Sequence, residues 1–279
     1  MSARRRRSRT RSRESSAARA RAIDVGAALL LCDLGNSRLK LALATGTPGP
    51  TVQRVLALDV GPGLIERLGA LGDEWRAEAG ALSSVADPAA LRAVESALAP
   101  RCARGLSVNP PPTLRVATRE PERTGRDRVY GACAAWSRFG TDCLTIDAGT
   151  ALTVNLVRVR DGRPEFAGGA IGAGAPLLAR ALAAGGAQLF EVAPRAGAPA
   201  LGTDTQSALE AGLVHGLRGA ARELVERIEA EHGRGRLPIA LTGGARALLA
   251  RPPFLPAHRI EEVETLVLEG LALSLPGAR

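Results

Sequence analysis

Short apolar runs alternate with helical patterns along most of the chain. The runs at 29–34 and 142–146 have the length of buried strands, and a helical repeat of apolar residues covers 206–231. This alternation predicts an α/β protein. Strands are predicted at 29–34, 38–45, 51–58, 81–86, 114–117, 142–146, 151–158, 164–170 and 237–241. Helices are predicted at 63–71, 88–98, 126–139, from 175 onward, at 206–231 and at 263–273.

The same theme occurs twice along the chain. In each half an apolar strand ends in Asp-x-Gly and a second strand follows closely, at Asp33 and again at Asp147. Turn residues at 47–50 and at 161–162 separate the next strand in each half. Two similar halves predict two sheets that face a cleft. The expected organisation is a tail at 1–28, an N-terminal domain at 29–139 and a C-terminal domain at 140–279.

The positive charge of the chain lies almost wholly in the predicted tail. The formal net charge is +9, but residues 1–21 hold nine arginines and one acid, and the rest of the chain is nearly neutral. Such a segment is expected to be disordered. A transit peptide, a nucleic-acid-binding arm, a solvated tail and a misplaced start codon are the alternatives for it. Because a basic folded face is not predicted and aromatic residues make up 3%, no nucleic-acid partner is expected.

The four cysteines show no CxxC pair and no metal-ligand spacing, which suits a reducing compartment, and Cys32, Cys133 and Cys143 lie in apolar runs that predict buried thiols. No apolar run reaches the ~18 residues of a membrane span, and the N-terminus lacks an apolar signal-peptide core. A cytoplasmic protein without a membrane partner is therefore expected.

The first Asp-x-Gly turn has the chemistry of a phosphate site. Its glycine lets a phosphate approach the main chain, short polar side chains add donors, an aspartate can hold Mg²⁺ through water, and a lysine follows on the next strand. An ordinary hairpin with an Asx turn is the alternative. The segment reads Asp33, Leu34, Gly35, Asn36, Ser37, Arg38, Leu39 and Lys40.

The second turn repeats this chemistry, with Thr150 as the hydroxyl donor after Asp147 and Gly149. Two such turns favour a phosphate held from both sides. A third turn, at 242–244, ends a strand before a helix and suits a nucleotide's sugar or α-phosphate, although a plain turn is the alternative.

A carboxylate between two arginines lies at 126–128. Asp127 is suited to take a proton from a hydroxyl group, and the flanking cations are expected to favour its charged form. The arginines also suit an anionic substrate. A solvated helix N-terminus is the alternative.

Taken together, these motifs resemble those of the type III pantothenate kinases, members of the actin-like ATPase superfamily. The resemblance runs from Leu29 to the C-terminus and is carried by six motifs in order. These are Asp33–Lys40, Gly125-Arg126-Asp127-Arg128, Asp147-Ala148-Gly149-Thr150-Ala151-x-Thr153, Gly168-Gly169-x-Ile171-x-x-Gly174, Gly202-x-x-Thr205 and Thr242-Gly243-Gly244.

The resemblance implies two tandem actin-like (ribonuclease H-like) α/β domains with a nucleotide cleft between them. It implies ATP-dependent phosphorylation of pantothenate, with Mg²⁺ and with K⁺ or NH₄⁺ at Asp147, in a homodimer. Asp127 would be the general base. ATP would be bound by Asp33, Leu34, Gly35, Asn36, Ser37, Arg38, Leu39, Lys40 and Thr150, and pantothenate by Gly125, Arg126, Asp127, Arg128 and Thr205.

Three positions depart from the family pattern. Thr118 stands where a tyrosine is common, Ala173 where proline is usual, and Ala245 where aspartate often follows Thr-Gly-Gly. The first concerns a pantothenate contact. A non-catalytic regulatory paralogue on the same fold and a kinase for another small hydroxyl substrate are the alternatives.

Overall fold

The computed structural model describes residues 26–46 and 50–276. Most of the predicted tail and of the turn at 47–50 lies outside the described residues. The strands are β1 (Ala28–Leu34), β2 (Arg38–Thr45), β3 (Thr51–Asp59), β4 (Ala79–Ser84), β5 (Leu106–Val108), β6 (Arg115–Val116), β7 (Cys143–Ala148), β8 (Ala151–Arg160), β9 (Arg163–Ala173), β10 (Ile239–Thr242) and β11 (Ile260–Glu262). The helices are α1 (Leu64–Gly69), α2 (Pro88–Leu98), α3 (Arg126–Phe139), α4 (Ala175–Gly185), α5 (Thr205–His232), α6 (Arg246–Ala250) and α7 (Leu266–Leu273).

The first sheet has the strand order β3-β2-β1-β4-β5. The strands β1, β2 and β3 form an antiparallel meander, whereas β4 and β5 run parallel to β1. The meander forms because β1 and β2 are both apolar and are joined by the short turn that begins at Gly35. Register pairs Asp33 at the end of β1 with Lys40 on β2.

The second sheet repeats this arrangement. Its order is β11-β10-β7-β8-β9-β6, with β7, β8 and β9 antiparallel and with β10 and β11 parallel to β7. The added strand β6 pairs with β9 at the edge. A meander followed by parallel strands on its other side is the ribonuclease H-like arrangement, so the predicted fold class of two actin-like units is confirmed.

Helices α3 and α7 pack together and connect the two sheets. The apolar face of α7, with Leu268 and Leu271, packs on Leu29 and Leu31 of the first sheet. Tyr130 of α3 belongs to the same cluster, whereas Val129 and Ala132 of α3 pack on the second sheet. The C-terminal helix thus covers the N-terminal sheet. The division of the chain between residues 139 and 140 stays a prediction.

The structure differs from the predicted elements mainly where elements are short. The three-residue strands β5 and β11 and the five-residue helix α6 were not predicted, because so few residues show no periodicity. The last helix begins at Leu266 rather than at 263. The reason is that the Val263 amide donates to the Leu241 carbonyl at 2.8 Å and so continues the β-pairing of β11.

All four cysteines are buried and free, which confirms the predicted burial of Cys32, Cys133 and Cys143 and adds Cys102. Within 26–46 and 50–276, no helix combines the length and the apolar character needed to cross a membrane.

Candidate active site

The two Asp-x-Gly turns lie against each other. In the first turn the Gly35 amide donates to the Arg38 carbonyl at 2.9 Å, and in the second the Gly149 amide donates to the Ala151 carbonyl at 3.0 Å. The Thr150 hydroxyl donates to the Ser37 hydroxyl at 3.4 Å. The hydroxyl groups expected from the sequence to face phosphate therefore meet at one place, between the two sheets.

One lysine, Lys40, attracts the carboxylates of both turns. Asp33 pairs in register with Lys40, whereas Asp147, at the equivalent position of the second sheet, pairs with Thr153. Charge attraction from Lys40 lowers the pKa of both aspartates, so its ammonium group lies within reach of each. The two halves thus share the aspartate at the end of the first strand, but only the first half has a lysine opposite it.

Burial dominates the electrostatics of these two aspartates. It is the largest cause that raises the pKa of Asp33 to about 7, and repulsion from Asp127 and Asp147 adds to it against the attraction of Lys40. Burial likewise raises the pKa of Asp147 to about 6, with Lys40 opposing and Asp127 adding. A cation bound near either carboxylate would therefore favour its charged form and lower its pKa.

Asp127 lies in the first turn of α3, which begins after Gly125. Its Oδ1 accepts a hydrogen bond from the Arg128 amide at 2.8 Å. Asp127 lies close enough to Asp33 and Asp147 for charge repulsion to raise the pKa of both. Sequence-distant acids are thus brought together by the packing of α3 between the sheets.

The expectation that the flanking arginines favour the charged form of Asp127 is confirmed for Arg128, but the net shift of the Asp127 pKa is upward. Burial raises the pKa of Asp127 and outweighs the Arg128 amide and guanidinium, which lower it. The arginine side chains turn elsewhere. The Arg126 guanidinium lies 3.8 Å from the Glu122 carboxylate, and Arg128 Nε donates to Asn155 Oδ1 at 2.8 Å.

The three acids do not form a complete metal site by themselves. Over the described ranges, no group of three or more His, Cys, Asp or Glu side chains could hold one ion. A cation near Asp33 or Asp147 would take further oxygen ligands from a bound nucleotide and water, which is how Mg²⁺ is usually held.

Two glycines allow the third turn and the α4 segment to approach the second Asp-x-Gly turn. At Gly243, with φ +97°, a Cβ would lie 2.4 Å from Asp147 Oδ1, and at Gly174 it would lie 2.2 Å from the Gly149 carbonyl oxygen. The Ala245 amide donates to the Ala148 carbonyl at 2.8 Å. Side chains at these two glycines would collide with the second turn.

The first turn also reaches across to the third. A Cβ at Gly244 would lie 3.8 Å from Arg38 Nη1, so the Arg38 guanidinium spans the space between them. Its Nε lies 3.5 Å from the Asp59 carboxylate. All three predicted nucleotide turns therefore border one space.

Sequence reasoning missed Asn155. This residue lies in the middle of β8 and is 2% exposed. Its Nδ2 donates to the hydroxyls of Thr145 and Thr153, and its Oδ1 accepts from Arg128. A polar residue among the apolar positions of a buried strand was the signal that could have found it.

Thr205 opens the long helix, as expected. It is the exposed first residue of α5, capped by Asp204, whose Oδ1 accepts from the Ser207 amide at 2.9 Å. Thr118 stands at the position where tyrosine is common in the family. Its hydroxyl shares a hydrogen bond of 2.8 Å with the Thr124 hydroxyl.

The fold and this meeting of two repeated turns define an actin-like α/β protein. More particularly, residues 29–227 match the model of the type III pantothenate kinase family, and the chain belongs to that family.

Named relatives agree with this assignment. The type III pantothenate kinase of Thermomicrobium roseum is 34% identical over 158 residues, which are 57% of this chain and 58% of that protein. The type III pantothenate kinase of Synechococcus elongatus is 39% identical over 148 residues, 53% of this chain and 57% of that one. The chain thus spans somewhat more than half the length of the curated relatives it matches.

A solved structure supports the fold alone. A Campylobacter jejuni protein described as a conserved Baf family transcriptional activator has a TM-score of 0.56 and 17% identity. The match covers 88% of this chain and 96% of that one.

Proposed function

We propose that this protein transfers the γ-phosphoryl group of ATP to the primary hydroxyl of pantothenate. The product is 4′-phosphopantothenate, and the reaction is the first step of coenzyme A biosynthesis. The observation that carries the proposal is the meeting of the two Asp-x-Gly turns, where the Ser37 and Thr150 hydroxyls bond at 3.4 Å and one lysine, Lys40, acts on both Asp33 and Asp147. Membership of the family supplies the choice of substrate.

In this proposal the first turn, Asp33–Lys40, and Thr150 bind ATP. The exposed Ser37 and Thr150 hydroxyls of the turns suit phosphate oxygens, and the Lys40 ammonium offsets the phosphate charge. Phosphoryl transfer depends mainly on such positioning and charge neutralisation.

Asp127 acts as the general base in the proposed reaction. A carboxylate that accepts the hydroxyl proton works best when its pKa lies closer to the working pH, and burial moves the pKa of Asp127 in that direction. The Arg128 amide holds one carboxylate oxygen at 2.8 Å, which leaves the other oxygen for the substrate hydroxyl. Gly125, Arg126, Arg128 and Thr205 complete the proposed pantothenate site.

The donor set fits the cations that the family implies. Two carboxylates with raised pKa and a single lysine leave excess negative charge when deprotonated. Asp33 would hold Mg²⁺ through water, and Asp147 would hold K⁺ or NH₄⁺. When bound, these ions would supply neutralisation of phosphate charge.

A cytoplasmic homodimer completes the proposal. Of the seven large apolar side chains that are exposed among the described residues, five fall between residues 171 and 201. Exposed large apolar side chains of this kind suit a protein–protein interface. These five are Ile171, Leu177, Leu182, Phe190 and Leu201. The four free thiols suit a reducing compartment.

The test is pantothenate-dependent release of ADP from ATP, with Mg²⁺ and with K⁺ or NH₄⁺ present. Asp127→Asn is expected to lose at least about 100-fold in kcat because the amide cannot accept the proton. ATP binding, measured by calorimetry, should survive that change. The matched control is Asp161→Asn on the exposed β8–β9 turn, which should keep full activity. Absence of pantothenate-dependent turnover in the unaltered protein would refute the proposal.

A further inference from the structure

The Arg128 side chain is held on two sides by the second sheet. Its Nε donates to Asn155 Oδ1 at 2.8 Å, and its guanidinium carbon lies 5.5 Å from the centre of the Phe166 ring. Stacking on the ring fixes the plane of the guanidinium, and the Nε bond fixes its rotation. Within the described part of the chain, Nη1 and Nη2 make no hydrogen bond. The free edge of a half-buried cation is therefore held in a defined direction.

Asn155 is fixed in turn by its own partners. Its Nδ2 donates to Thr145 Oγ1 at 3.0 Å and to Thr153 Oγ1 at 3.3 Å. If the amide oxygen and nitrogen were exchanged, Nδ2 would face Arg128 Nε, and two donors would meet with no acceptor between them. Only the orientation with Oδ1 toward Arg128 satisfies every group. Burial at 2% exposure makes any unsatisfied alternative costly.

We propose that Asn155 is a positioning residue, which occupies Arg128 Nε and so presents the Nη1–Nη2 edge end-on to a carboxylate of the substrate. An arginine can meet a carboxylate either through Nε and one Nη or through both Nη atoms. Because Nε is already used, only the second mode remains. The inference rests on the proposed function, in which pantothenate brings one carboxylate.

The same arginine also contacts the base. Its backbone amide holds Asp127 Oδ1, whereas its side chain is held by Asn155. The two ends are fixed by separate groups. A change at Asn155 therefore acts on the Arg128 guanidinium, which faces the substrate anion and also lowers the pKa of Asp127, and it leaves the backbone hydrogen bond to Asp127 in place.

The experiment compares pantothenate with its alcohol analogue, in which CH₂OH replaces the carboxylate. For Asn155→Ala the ratio of the two kcat/KM values is expected to fall about 10-fold, the effect of losing one hydrogen bond to a charged group. The change should appear as a higher KM for pantothenate, with the KM for ATP unchanged.

Conservative replacement should rescue this effect. In Asn155→Asp an acceptor still faces Arg128 Nε, and the Thr145 and Thr153 hydroxyls can donate instead of accept. Its ratio should stay within about 3-fold of the unaltered protein. A purely structural role would not produce this dependence on the substrate's charge.

A matched control separates positioning from general destabilisation. Asp142 is also a buried polar residue, 4% exposed, and its Oδ1 accepts from the amide of Val159 on β8 at 2.7 Å. Asp142→Ala should lower the melting temperature without changing the ratio. If Asn155→Ala does not fold, Phe166→Leu removes the stacking face and should lower the ratio in the same direction.

The outcomes distinguish the two proposals. No turnover of pantothenate by the unaltered protein would overturn the proposed function, and this inference with it. Normal turnover together with an unchanged ratio in Asn155→Ala would overturn the positioning role alone.

Discussion

The acidic residues at the meeting of the turns should make the ligand-free fold less stable, and Asp33→Asn tests this directly. The pKa of Asp33 rises from an ordinary 3.8 to about 7, mainly through burial. One pKa unit corresponds to about 1.4 kcal/mol, so the charged form carries a cost on the order of 4 kcal/mol. The attraction of Lys40 is already included in that net shift. Asparagine has nearly the same shape and carries no charge.

The sign follows from the protons bound in each state. Between pH 3.8 and about 7 the folded protein keeps a proton on Asp33 that the unfolded chain has lost. Stability therefore falls as pH rises through this window, and the full cost is present above it. Asp33→Asn should raise the free energy of unfolding by about 2–4 kcal/mol at pH 8 and by roughly zero at pH 4 or below.

Urea unfolding of the ligand-free protein from pH 4 to pH 8 measures this difference. Asp161→Asn, which removes a carboxylate from an exposed turn, is the control and should show no such dependence. A variant that gains stability should nevertheless lose turnover, since Asp33 belongs to the proposed ATP site. The reasoning fails if Asp33→Asn is less stable than the unaltered protein at pH 8, or if their free energies of unfolding differ by the same amount at every pH. Either result would mean that burial does not destabilise the charged form of Asp33.

Three further predictions concern the same site and the tail. Lys40→Met should raise the pKa of both Asp33 and Asp147, because Lys40 lowers each, and should shift the pH dependence of ATP binding upward in calorimetric titrations; an unshifted profile would contradict this. Gly243→Ala should weaken ATP binding and cost more than about 1 kcal/mol, since its Cβ would lie 2.4 Å from Asp147 Oδ1 at φ +97°. Gly233→Ala, at φ +74° with no atom within 4 Å, is the matched control and should cost only the backbone strain. Removal of residues 1–25 should leave turnover unchanged, and a large loss of rate would contradict the view that the basic segment is dispensable.

Much of the fold could be predicted from local pattern. The predicted ranges 38–45, 88–98 and 126–139 coincide with β2, α2 and α3. Periodicity of apolar side chains is a property of neighbouring residues, so a long element shows it without reference to the rest of the chain. Strands of three residues do not, and β5 and β11 were missed for that reason.

The sequence by itself determined which residues carry the candidate chemistry. The repeated Asp-x-Gly turns, Lys40 and Asp127 are recognisable because residue type and spacing are written along the chain. The tertiary structure alone decided how those residues behave. It placed the Ser37 hydroxyl within hydrogen-bonding distance of Thr150, and it paired Arg128 with Asn155. It also raised the pKa of Asp127 despite its arginine neighbours. Burial and the position of a charge depend on groups far apart in sequence, so no local pattern contains them.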